Sequence, residues 1–290
     1  MQNTFQKKMK RLLIGLLIFF GTILFCYYEN NVITVSEYDI VSDKFPESFD
    51  GFVIVHLSDL HNKLFGKNQK RLMKHIKDQK PDIIVITGDL IDSNHPNVDT
   101  GLLLAEEAVK LAPVYFVTGN HDNYLSDTNT YALIQGLKSR GVRILDDETV
   151  ELYPEEEEKG IFLLGLDDDT LSYKSRCREV LSKLTEKNGD GDIFTILLAH
   201  EPQLLSLYSE FDVDLVLSGH AHGGQFRIPF IGGFVAPDQG FLPEYTKGAY
   251  EKNGTHMIVS AGLGNSVIPL RLLNRPEVVT ITLKYEEKNP

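Results

Sequence analysis

The chain has 290 residues, 42% hydrophobic and 24% charged, which gives room for a sizeable core and argues against both a disordered chain and a repeat array. Its net charge is −12, and setting aside the unopposed Lys7, Lys8, Lys10 and Arg11 near the start leaves −16 on the rest. So acidic a body excludes nucleic acid as a partner, because that binding neutralises phosphates with Lys and Arg. The two cysteines, Cys26 and Cys177, exclude a disulfide framework and a thiolate zinc site.

Residues 12–28 run without a charge, near the lower length limit for crossing a bilayer as a helix. The basic cluster before them predicts a cytoplasmic start and a single-pass anchor at the cell membrane, with the body extracytoplasmic. Phe25-Cys26-Tyr27-Tyr28-Glu29-Asn30 offers no small-residue cleavage site, and a Lys10-Arg11 pair is not a twin-arginine signal, so the segment reads as uncleaved. The expected division is residues 1–30, a basic stub and transmembrane anchor, and residues 31–290, one domain without an internal linker.

Alternating apolar and polar positions predict an edge strand over residues 32–40, and apolar runs predict buried strands over 52–57 and 82–87. Between them lies a helix over 67–79, which Pro81 ends. A helix over 101–111, a strand over 114–118 and a helix over 130–139 follow. Short strands are expected near 142–152 and 161–166, with Glu155 to Glu158 as a solvated turn between them. A helix over 173–187 leads into a loop over 188–192. Buried strands over 193–199 and 213–217 come next, then β-rich stretches over 256–260 and 277–284. The alternation predicts an α/β or mixed α+β fold.

Five of the strand candidates end in polar clusters: Asp59-Leu60-His61, Gly88-Asp89, Gly119-Asn120-His121-Asp122, His200, and Gly219-His220-Ala221-His222. Any one of these is weak, since Gly-Asp after a strand is usually a turn or a cap. Five in order, each where a sheet presents ligands, should converge on one rim. Imidazole nitrogen and carboxylate oxygen without thiolate suit divalent ions, with Mn, Fe or Zn favoured. Seven candidate ligands are too many for one open catalytic ion and suit two ions sharing a carboxylate.

The series Asp-x-His, Gly-Asp, Gly-Asn-His-Asp, His, Gly-His-x-His resembles the calcineurin-like metallophosphoesterases over about residues 50–284. The resemblance implies a four-layer sandwich, two packed β-sheets flanked by helices, after the transmembrane helix. It implies Asp59, His61 and His222 on one metal, Asn120, His200 and His220 on the other, and Asp89 bridging the two. It also places His121 toward the substrate as a catalytic residue, with Asp122 holding its ring.

Residues 219–229, with Gly262-Leu263-Gly264-Asn265-Ser266, Pro269-Leu270-Arg271 and Arg275-Pro276-Glu277, resemble the membrane-associated bacterial branch. Some of that branch act on UDP-2,3-diacylglucosamine. The implied reaction is attack on phosphorus by a metal-bridging hydroxide, on a phosphodiester or pyrophosphate that is a small molecule or lipid-linked. A phosphomonoesterase of the envelope is the alternative, and a non-catalytic metal-binding scaffold is the alternative of another class. Arg227 and Arg271 are candidate phosphate contacts, since guanidinium grips phosphate bidentately. Phe226, Phe230, Phe234, Phe241, Tyr245 and Tyr250 are read as core or loop packing, with a lipid-binding surface as the alternative that the membrane anchor keeps open. His56, His75, His95 and His256 receive no role.

Overall fold

A computed structural model describes residues 2–153, 159–188, 191–266 and 268–287. The expected turn at Glu155 to Glu158 and Gly189 and Asp190 of the expected loop lie outside the described residues.

The uncharged N-terminal run sits within one helix, Gln2–Asn31, whose segment from Phe5 to Asn31 is long and apolar enough to cross a membrane. Its large apolar side chains, Leu17 and Leu24 among them, are exposed rather than packed on the body.

The first half of the body supplies β1 (Thr34–Ser42), β2 (Val53–Leu57), β3 (Ile83–Thr87), β4 (Val114–Val117) and β5 (Arg143–Ile144). Then come β6 (Glu148–Leu152), β7 (Ile161–Gly165), β8 (Thr195–Leu198) and β9 (Leu215–Ser218). Four two-residue strands follow: β10 (Arg227–Ile228), β11 (Gly232–Gly233), β12 (Val235–Ala236) and β13 (Gly240–Phe241). The last are β14 (Gly248–Lys252), β15 (Thr255–Val259) and β16 (Glu277–Tyr285).

Two six-stranded sheets result, ordered β1-β16-β2-β3-β4-β5 and β14-β15-β9-β8-β7-β6. Strands β2 to β5 run parallel, as do β7, β8, β9 and β15. The chain changes sheet between Ile144 and Glu148, so the stretch 142–152 serves two sheets rather than one.

Side chains alternate across each strand, and both faces are covered. Ile83 and Val85 point between the sheets, where they meet Leu163, Ile196, Leu198 and Leu217 of the other sheet. Ile84 and Ile86 point outward onto Leu72, Ile76, Leu104 and Leu133 of helices Lys70–Asp78, Val98–Ala108 and Asp127–Ser139. Leu197 and Val216 point the opposite way, onto Cys177 and Leu181 of helix Lys174–Thr185 and onto Leu205. Three apolar layers therefore separate four layers of structure. Helices on parallel strands are the covering such sheets require, because neither face tolerates water.

Candidate active site

Each polar cluster sits just beyond the carboxyl end of its strand. Asp59 and His61 follow β2, Asp89 follows β3, and Asn120 and His121 begin the one-turn helix Asn120–Asn123 after β4. His200 follows β8, and His220 and His222 follow β9. The rim is therefore shared, three strand ends from one sheet facing two from the other.

The backbone is bent to bring these side chains inward. Asp59, His61, Asp89, His220 and His222 all adopt left-handed φ values, from 44° to 65°. Non-glycine residues pay a steric cost there, and such strain gathers at functional sites. Hydrogen bonds between the loops hold the strained turns: Asp59 N–H donates to Gly88 O at 3.1 Å and His61 N–H to Asp89 O at 3.0 Å. His220 N–H donates to Asp59 Oδ1 at 3.0 Å, tying the two sheets together at the rim. Glycine at 119 and 219 is a space requirement. A Cβ at Gly119 would fall 2.4 Å from Asp89 Oδ1, and one at Gly219 would fall 1.8 Å from Ser58 Oγ.

The donor atoms converge in two groups joined at Asp89. In the first, His61 Nε2 lies 3.2 Å from His222 Nε2 and 3.3 Å from Asp89 Oδ2, and His222 Nε2 lies 3.5 Å from Asp59 Oδ1. One ligand atom from each of Asp59, His61, Asp89 and His222 lies within 4.8 Å of the others, and all four residues are buried. In the second, His200 Nε2 is 3.4 Å from Asp89 Oδ2, and His220 Nδ1 is 3.1 Å from Asn120 Oδ1. The His200 and His220 rings are 4.9 Å apart.

The donor set fits divalent cations. His200 Nδ1 donates to Thr87 O at 2.7 Å, which places its proton there and leaves Nε2 as a lone pair. That Nε2 is buried without a hydrogen-bond partner. The local field also favours positive charge. Burial opposes protonation of His200, but Asp89, with Asp59 and Asp168, outweighs it and raises the imidazole well above its usual value. Burial likewise opposes ionisation of Asp89, yet His200 and His61 hold its carboxyl well below the usual range. Two fully buried carboxylates among imidazole acceptor atoms make a cation site by charge and by chemistry.

Residues 52–224 match the family model described as calcineurin-like phosphoesterase. The chain belongs to this family. It is 35% identical over 266 residues to the metallophosphoesterase YkuE of Bacillus subtilis, covering 89% of this chain and 88% of that protein. It is 33% identical over 263 residues to the transmembrane protein with metallophosphoesterase domain of Danio rerio, covering 86% of this chain but 57% of that longer protein. The solved structure of TT1561 from Thermus thermophilus shares the fold, with a TM-score of 0.50 and 11% identity over 73% of this chain and 90% of that one. As a calcineurin-like phosphoesterase, the chain is a metal-dependent phosphohydrolase.

Three sequence expectations need correction in this calcineurin-like phosphoesterase. Asp122 does not hold the His121 ring. Its buried carboxylate accepts from Gly119 N–H at 3.1 Å and Ile91 N–H at 3.2 Å, fastening the turn that presents Asn120 to the loop after β3. Burial, then the neighbouring Asp89 charge, pushes its pKa up to about 7. His121 instead meets Ser93 and Asp92, which the sequence reading left out. Its Nδ1 accepts from Ser93 N–H at 3.2 Å and lies 3.6 Å from Asp92 Oδ1.

Arg271 is 1% exposed and donates to the carbonyls of Ala261, Gly264 and Asn274, so it pins a loop rather than gripping phosphate. Arg227 donates to Gly223 O at 2.9 Å and Thr246 Oγ1 at 3.2 Å, and the hollows it lines contain none of the seven ligand candidates. Asp238 is a further omission: its Oδ2 lies 2.7 Å from His220 Nε2 and orients that ring with Nδ1 toward Asn120.

The Asp122 finding carries a prediction. Asp122→Ala strands two backbone N–H groups, and the fold should lose about 1–3 kcal/mol. Chemical denaturation of the metal-free protein reads this directly. Unchanged stability with lost turnover would return Asp122 to the chemistry.

Proposed function

We propose that this chain hydrolyses a phosphodiester or pyrophosphate at a two-metal centre, with residues 31–290 acting as one catalytic domain. The observation that carries the reading is the placement of the Asp89 carboxylate between His61 and His200, at 3.3 and 3.4 Å, which joins two ligand groups through one residue. Asp59, His61 and His222 would hold one divalent ion, Asn120, His200 and His220 the other, and Asp89 both. Ions held there would lower the pKa of a bound water and neutralise charge on phosphate oxygens.

His121 would act on the substrate directly. Because Nδ1 accepts from the Ser93 N–H, the ring proton lies on Nε2, which points toward Ser266 Oγ at 3.3 Å. Burial is the main cause lowering its pKa, so the ring is neutral near pH 7 and donates a hydrogen bond from Nε2. A phosphoryl or leaving-group oxygen is the natural acceptor. The Ser93 N–H would keep the ring in that tautomer.

An apolar groove of about 190 Å³ opens beside the centre, lined by His222, Val235, Ala236, Pro237, Ser266 and Ile268. A diester or pyrophosphate carries a second organic group that needs such space, and the apolar lining favours a lipid-linked one.

The N-terminal helix would anchor the enzyme, uncleaved and in a single pass, with the catalytic domain extracytoplasmic. The support is its last turn, which is built into the body. Buried Glu29 accepts from Asn274 N–H at 3.1 Å, and Asn30 Oδ1 accepts from Arg271 N–H at 3.0 Å. Cleavage after Asn30 would expose both partners.

The test uses full-length protein in detergent with Mn, Fe or Zn added to the chelated form. Bis-p-nitrophenyl phosphate should be hydrolysed faster than p-nitrophenyl phosphate, with two ions bound per chain. Failure with every metal would favour the scaffold, and a faster monoester would replace the diester assignment.

A further inference from the structure

We propose that the surface around the root of the N-terminal helix is a membrane-docking face that takes anionic phospholipid headgroups and dips apolar turn tips into the bilayer. It rests on the anchor reading above and not on the catalytic one.

The first observation is where the apolar side chains lie. Loop packing describes Tyr245 and Tyr250, whose rings meet at 5.1 Å, and Phe234 and Phe241, whose rings meet at 5.4 Å although both are exposed, but not Phe230. Phe230 is fully exposed, followed by Ile231, and Phe241, Leu242 and Leu273 are each more than half exposed. Phe230, Leu242 and Leu273 also have φ values of 69°, 53° and 53°. Turn positions of this kind ordinarily take Gly, Asn or Asp, which lose little there. Bulky apolar residues in strained, solvent-facing turns gain nothing from water and gain from a hydrocarbon boundary.

The second observation is what surrounds them. Glu29, in the last turn of the helix, shares a hollow with Arg227, Lys247, Leu273 and Arg275, and Arg227 and Leu273 also line the hollow formed by Phe230 and Ile231. Arg71 donates to Asn31 O at 3.4 Å, and the Arg275 guanidinium lies 5.5 Å from the centre of the Tyr28 ring. With Lys63, which donates to Asn30 O, five basic side chains among the described residues ring the helix end in a body of charge −16. The carboxylates facing them are Glu29 and Glu277, both buried, the latter 2.7 Å from Lys247. A helix that leaves the bilayer at Tyr28 puts everything bonded to its last turn at headgroup level. Basic side chains beside an apolar tip are the pattern that binds anionic interfaces.

The sequence contains no tryptophan, so Phe230→Trp gives a single reporter. The full chain would be reconstituted in vesicles of phosphatidylcholine, with and without phosphatidylglycerol, using acyl chains brominated for quenching. Blue-shifted and quenched emission is expected, stronger with phosphatidylglycerol and weakened by salt. Tyr173→Trp, at the start of helix Lys174–Thr185, should stay unquenched, and Ile231→Trp serves if Phe230→Trp misfolds. Unquenched emission at both loop positions overturns the docking face. So does a blue shift without quenching, which signals burial against a second copy. Equal quenching in neutral and anionic vesicles overturns the role of the cations. An alkaline wash that releases the chain overturns the anchor itself, which separates that failure from the others.

Discussion

Asp89→Asn is expected to lower turnover by about 10³-fold or more and to reduce bound metal from two ions to one or none. Losing a shared carboxylate costs several kcal/mol of cation binding and transition-state stabilisation, and each 1.36 kcal/mol is tenfold in rate. The substitution suits the question because it is nearly isosteric. The asparagine Oδ1 can still accept from His121 N–H, which reaches Asp89 Oδ1 at 2.9 Å in the native chain. The turn should therefore hold, while the negative charge between His61 and His200 is gone. The measurement is metal analysis beside turnover with bis-p-nitrophenyl phosphate over a range of added Mn. Two ions retained at native affinity would refute the shared role of Asp89. Activity restored by high Mn would show that affinity, rather than chemistry, had been lost.

The ligand candidates were legible because they obey a rule of placement. Asp59, Asp89, Asn120, His200 and His220 each follow an apolar strand within three residues, so the strands alone point to the rim. Second-rank partners follow no such rule. Asp122 is the neighbour of His121 in sequence, but successive residues on a helix point about 100° apart. One turn of helix, Asn120–Asn123, sends His121 toward Ser93 and Asp122 toward the backbone of Ile91. Asp92 could have been found by extending the Gly88-Asp89 cluster three residues. Asp238 could not, because it sits between the paired strands β12 and β13, whose two-residue lengths leave no periodic signal. Arg271 shows the same limit from the other side. A guanidinium that will grip phosphate and one that will satisfy three buried carbonyls look alike in a sequence. The short strands expected near 142–152 likewise carry no mark of a change of sheet, while the turn at Asp147, with a φ of 56°, passes the chain from one sheet to the other.

His121→Ala should lower kcat by about 10²–10⁴-fold, the range for removing a positioned proton donor, with both ions retained. Retention follows from geometry. His121 Nδ1 is taken by Ser93 and Nε2 faces Ser266, and although the ring offers an atom within 4.8 Å of His61 and Asp92, it is outside the group formed by Asp59, His61, Asp89 and His222. Two roles remain for Nε2–H, and the leaving group separates them. If the ring only stabilises charge on phosphoryl oxygens, the loss is the same for a p-nitrophenol ester and for a poorer leaving group such as an alkyl alcohol. If it delivers a proton to the departing oxygen, the p-nitrophenol ester is spared, because that oxygen leaves without help, and the alkyl ester suffers most. The half-buried ring favours the first outcome: burial lowers the imidazole below its usual value, so the neutral form, with Nε2–H free to donate, is the major one near pH 7. Unchanged kcat on both esters would remove His121 from the reaction altogether. Loss of an ion in His121→Ala would instead make it a ligand and force the assignment of the first metal group to be redrawn.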